Sequence, residues 1–73
     1  MITLDAQLLV AHDMNDIAVL VDLYTKAADQ SDDVDAACFY LTHAYVFALE
    51  LGSHKAVILR ERLVTHGREP TVD

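Results

Sequence analysis

The middle of this chain places the tightest limit on what it can fold into. From Ala36 to Leu49 it reads AACFYLTHAYVFAL, in which only Thr42 and His43 are clearly polar. At about 100° per residue, Ala37, Cys38, Leu41, Tyr45, Ala48 and Leu49 share one side of a helix. Phe39, Tyr40, His43, Val46, Phe47 and Glu50 lie on the other. A helix apolar on nearly all sides is expected to be buried on nearly all sides. Yet the chain has only 73 residues, about half a typical domain, so residues 1–73 read as a single small domain. A domain of this size buries only about 60% of the surface its unfolded chain exposes. Either the other helices wrap this one, or a second chain covers its free side.

The capping residues divide the chain into four helices. Thr3 precedes an apolar stripe of Leu4, Leu8 and Ala11, which predicts a helix over about 4–12. Asp13 or Asn15 is the expected cap of a second helix, about 16–30. There Ile17, Leu20, Val21, Tyr24, Ala27 and Ala28 follow the spacing of one buried face. Asp32 is the expected cap of the third, about 33–51, with Asp33 and Asp35 in its first turn, where the helix dipole favours negative charge. Gly52 suits the left-handed position that ends it. Ser53 then caps a fourth helix, about 54–66, with Ala56, Leu59 and Leu63 inward. Gly67 and Pro70 stop it, leaving 67–73 as a tail. Two glycines and one proline in the whole chain argue against an all-β fold. The expected class is all-α, four short helices forming two antiparallel hairpins.

Shifting the chain by 38 residues lays Asn15–Leu20 over Ser53–Ile58, each a capped apolar helix after a polar turn. Periods of this length suit helical repeats, in which one hairpin cannot bury its own face. The stretch Leu23-Tyr24-Thr25-Lys26-Ala27-Ala28-Asp29-Gln30-Ser31-Asp32, then Ala37-x-x-x-Leu41-Thr42-x-x-Tyr45, resembles the Sel-one-like branch of the tetratricopeptide repeats over about 18–56. Ser31 and Thr42 stand where that family usually has glycine, and a β-branched Thr42 would widen the helix packing. The resemblance implies stacked helical hairpins and work as an interaction scaffold or adaptor, without enzymatic activity.

Few residues suggest chemistry. None of His12, His43, His54 and His66 makes an HxxxH pair that would set two imidazoles on one helix face. His12 with Asp13 and Asp16 reads as a solvated turn, with a carboxylate–imidazole cluster as the functional alternative. His66 suits a helix C-terminus, and His54 suits an exposed helix start. His43, inside the apolar helix, reads as bonded to a backbone carbonyl or to Glu50, with a polar anchor in an interface as the alternative. His43 is followed by Ala44-Tyr45-Val46-Phe47, not the lysine and glycine that mark phosphotransfer domains. Cys38, the one cysteine, faces the predicted core, away from the electropositive setting that would activate a thiol. Asp32, Asp33 and Asp35 lack the glycine and distal glutamate of a calcium loop. No catalytic residue, metal ligand or cofactor site is expected.

Charge and composition bound the partners. The net charge is −7. It is carried by residues 1–52, where nine acids meet only Lys26, whereas 53–73 holds Lys55, Arg60, Arg62 and Arg68 against three acids. Nucleic acid is not expected as a partner, because phosphates need clustered bases. A basic protein partner would be steered toward the acidic body. The start MITLDAQLLV has no basic segment before its apolar one, unlike a signal peptide, and no apolar run is expected to reach the ~18 residues of a membrane span. A cytoplasmic protein that does not bind membranes is therefore expected. The functional expectation is a non-catalytic protein–protein interaction module that also self-associates, with a homodimer as the first partner. Its contact surface would be Phe39, Tyr40, His43, Val46, Phe47 and Glu50 on the third helix. Two other roles stay open: an acidic regulator of a basic partner, and a helical binder of a small molecule or metal through His43 or the His12 cluster.

Overall fold

A computed structural model describes residues 3–68 of the chain. Four helices follow one another: α1 (Leu4–Asp13), α2 (Ile17–Gln30), α3 (Val34–Leu51) and α4 (Lys55–Thr65). No strand occurs among the described residues, and the fold is all-α. Short polar links join the helices, and each helix packs on the next, most extensively α2 on α3.

Three of the four helices end in the same way. The Gly52 amide donates to the Leu49 carbonyl and the Ser53 amide to that of Ala48, at 3.1 and 3.0 Å, with Gly52 at φ 71. Gly67 at φ 74 closes α4 through Gly67 to Val64 and Arg68 to Leu63, both at 2.8 Å. Asn15 closes α1 through Asn15 to His12 and Asp16 to Ala11, at 3.1 and 2.9 Å. This is the paired-amide motif that satisfies the last carbonyls of a helix. Asn15 is therefore the end of α1 and not the cap of α2. It is the one non-glycine residue with positive φ among those described, at 53, and asparagine tolerates that region better than most. Asp13 still lies within α1, so α2 is capped by Asp16, whose Oδ1 accepts the Val19 amide at 3.4 Å.

The caps of α3 and α4 differ from expectation by one residue. Thr3 caps α1 as expected, its Oγ1 accepting from Ala6 at 3.2 Å. Asp33 replaces Asp32 as the cap of α3, with Oδ2 accepting from Ala36 at 3.1 Å. At α4 the capping position is His54, whose side chain makes no cap bond. Ser53 Oγ reaches in from one residue earlier to accept the Lys55 amide at 3.2 Å. Pro70, read as a stop signal, lies outside the described residues. At Gly52 an added Cβ would meet nothing within 4 Å, so only backbone conformation opposes a side chain there. Gly52→Ala should cost about 1 kcal/mol and Gly52→Asn about half as much, read as a shift in the urea midpoint at unchanged slope.

The core has two parts. Leu41, Ala44 and Ala48 on α3 are fully buried and meet Val21 and Ala28 from α2 and Ala56, Leu59 and Leu63 from α4. A smaller cluster of Ala11, Leu20 and Leu23 seats α1 on α2, with Leu4, Leu8 and Ile17 at its edge. Tyr24 and Phe47 pack against both clusters. Leu49, assigned inward by the helix projection, is 49% exposed. Ala44 is buried in the stripe instead, because its single methyl lets the neighbouring helices come close where a leucine would hold them apart.

The Cα trace measures 34 × 29 × 14 Å. Its short dimension is about what two helix layers give when packed about 9 Å apart, each with a Cα radius of about 2.3 Å. Side chains also tie α4 to α2: Lys55 Nζ lies 2.8 Å from Asp22 and Arg62 lies 2.6 Å from Asp29. Both pairs span 33 residues, and they advance together along the two helices, so α2 and α4 run in the same sense.

Candidate interface on the third helix

The side of α3 that the chain buries is narrow, consisting of Cys38, Leu41, Ala44, Tyr45 and Ala48. A two-layer molecule covers α3 from below and leaves it bare above, so all-round burial does not occur within one chain. Phe39 is 58% exposed, and Val46 47%. Thr42 and Glu50 are exposed beside them, and His43 is half-buried. Val34 and Leu51 add exposed apolar surface at the two ends.

Tyr40 and Phe47 face elsewhere. Both are half-buried and lean on the core, within a group of rings centred on Tyr24 of α2. The Tyr24 ring stacks on His43 at 5.1 Å and on Phe47 at 5.8 Å, and lies 6.3 Å from Tyr40. His43 extends the group to Phe39, 4.5 Å away, and its Nδ1–H donates to the Phe39 carbonyl at 2.9 Å. The carbonyl alternative read for His43 is thus the one realised. His12 joins from α1: Nε2 is 3.0 Å from the Tyr24 hydroxyl, and its ring meets Tyr24 and Phe47 edge-on. His12 therefore spends its polar contact on a tyrosine twelve residues away and makes no ion pair with Asp13 or Asp16. Projection of the helix could not reveal this arrangement, because Tyr24 and His12 come from other helices.

The space above α3 is an open groove of about 500 Å³ lined by Asp35, Cys38, Phe39, Thr42, His43 and Arg68. Its floor is largely apolar. Cys38 is only 3% exposed. Arg68 forms an ion pair with Asp35 across one end. The hydrogen bond and charge of Asp35 raise the Arg68 pKa above its usual value. Thr42 Oγ1 donates to the Cys38 carbonyl at 2.8 Å. Among the described residues, no three His, Cys, Asp or Glu side chains gather to hold a metal ion.

Two sequence expectations change in emphasis. Lys55, Arg62 and Arg68 already sit on Asp22, Asp29 and Asp35, so part of the acidic body is neutralised by the chain's own basic end. Against the expectation that no apolar run reaches membrane length, α3 is long and apolar enough to span a membrane by length and composition. Asp35 and Glu50 lie near its ends, and a third of it is buried in the protein. Compared with protein families, curated proteins and solved structures, the chain matches none.

Proposed function

We propose that this chain is a non-catalytic protein–protein interaction module whose working surface is the outer side of α3. The observation that carries the reading is an imbalance: α3 is apolar around its circumference, yet only five of its residues are buried. Soluble proteins seldom leave a continuous apolar patch without a use for it, and aromatic residues such as Phe39 are enriched where partners dock. We read the helices as two antiparallel hairpins of tetratricopeptide type. The common sense of α2 and α4, and ion pairs spanning 33 residues, close to the 34-residue period of such repeats, support that reading. Proteins so built generally act as scaffolds.

A photoreactive phenylalanine analogue at position 39, with a second variant carrying it at Glu61 on α4, tests the function in the native cell. Covalent protein adducts are expected from position 39 and not from position 61. Equal or absent labelling at the two positions would overturn the reading.

A further inference from the structure

We infer that the partner on this face is a second copy of the chain, its α3 packed antiparallel to the first about a twofold axis that crosses the exposed face at the level of residue 44. The inference rests on the interaction reading above and adds the identity of the occupant.

Phe39, Thr42, Val46 and Leu49 are all exposed. They follow the alternating three- and four-residue spacing of a helix-pairing seam. Antiparallel pairing about Ala44 sets Phe39 of each copy against Leu49 of the other and Thr42 against Val46. In this register every large apolar residue of the seam meets an apolar partner or the methyl of Thr42. The contact is isologous, as a twofold pair requires. The groove along residues 35–43 receives Val46 and Leu49 of the second copy, and those of the first fill the second copy's groove.

Charge and polarity fit this occupant. From Ala36 to Leu49 the helix carries no carboxylate or basic chain, so the centre of the contact sets no like charges together despite the net −7 of each copy, and the Asp35–Arg68 pair lies at the groove's end. The Thr42 hydroxyl, the polar group within the seam, already donates to the Cys38 carbonyl inside the helix and can be dehydrated without a partner across the interface. At each end the register brings Asp35 toward Ser53 of the second copy, at the start of α4. That first turn contains no acid and its cap residue makes no side-chain bond, so negative charge is favourable there.

The contact is small: Phe39, Val46 and Leu49 are each only about half exposed, so the pair sits near or below the ~1,000 Å² of a specific interface. A weak, reversible dimer with a dissociation constant in the micromolar range is therefore expected.

Sedimentation equilibrium of the full chain from about 5 to 500 μM should show a monomer–dimer equilibrium. Val46→Glu should weaken it at least about 100-fold, since each copy would bury a carboxylate, with helix content by circular dichroism unchanged. In a Cys38→Ser background, a mixture of Phe39→Cys and Leu49→Cys chains should oxidise to the mixed disulfide. Neither chain alone should do so, because like positions would lie about 15 Å apart along the helices. A monomer throughout the range, or faster oxidation of either chain alone, would overturn the inference. Photoadducts from position 39 at twice the chain mass support it. Adducts only to a different protein overturn the second copy as occupant while leaving the interaction reading in place.

Discussion

Leu41→Ala should leave the chain unfolded at room temperature. Leu41 is fully buried, at 0% exposure, where α2, α3 and α4 meet. Removing such a side chain loses its transfer energy and leaves a cavity, about 2–5 kcal/mol together. A core of this size supplies on the order of 3–5 kcal/mol of net stability, so the loss is comparable to the whole. Ala44, Ala48, Ala28 and Ala56 carry single methyls and cannot fill the space, and Leu59 or Leu63 could move in only by leaving a gap of its own. Leu41→Met keeps the volume and should cost less than about 1.5 kcal/mol. Circular dichroism at 222 nm decides: the alanine variant should lose most of its helical signal and the methionine variant keep it. An alanine variant that still unfolds cooperatively in urea with a small midpoint shift would show that the core does not rest on this contact. Leu49→Ala is the internal contrast. On the same helix but 49% exposed, it should leave the monomer's stability within about 0.5 kcal/mol.

The difference between Leu41 and Leu49 marks where the sequence is legible and where it is not. Helix existence could be read because each helix carries its own punctuation: Thr3, Gly52 and Gly67 act within one turn of themselves. Asn15 could not be placed, because asparagine serves equally as a cap acceptor and as a left-handed terminator. Which role it takes depends on how far α1 runs. The faces of α3 were harder still. A helix apolar all round has no hydrophobic direction, so angular position alone cannot say which side turns inward. The choice falls to packing against small side chains, and the alanines Ala44 and Ala48 set the line along which α2 and α4 approach. That rotation turns Leu49 out and draws Tyr40 and Phe47 toward Tyr24. Of the six residues expected to form the contact surface, Phe39, Val46 and Glu50 are exposed, His43 is half-buried, and Tyr40 and Phe47 belong mainly to the ring group. Thr42 and Leu49 also belong to the exposed side, although in the sequence a β-branched Thr42 reads as a packing obstacle and the helix projection turns Leu49 inward.

Tyr24→Ala should release α1 from the rest of the molecule. Tyr24 and Phe47 are the side chains that touch both apolar clusters, and Tyr24 is the common member of the ring group, with His12 on one side and His43 and Phe47 on the other. α1 has no direct packing of its backbone on α3 or α4. It is held through α2 and through these rings. Truncating a large aromatic side chain costs about 3–5 kcal/mol when fully buried; for the half-buried Tyr24 about 2–3 kcal/mol is expected, including the loss of its ring contacts. The loss should not be uniform. Ten residues are too few for an isolated helix to persist in water, so α1 should melt before α2–α4. Amide hydrogen exchange reads this directly: protection in α1 should fall by orders of magnitude while that of Leu41 and Ala44 falls by the global change alone. Tyr24→Phe separates ring from hydroxyl. It keeps every ring contact and loses only the bond to His12, 3.0 Å long and exposed, so it should cost no more than about 1 kcal/mol. If Tyr24→Ala lowered protection equally in all four helices, the two clusters would be one cooperative core, and Tyr24 no more than a member of it.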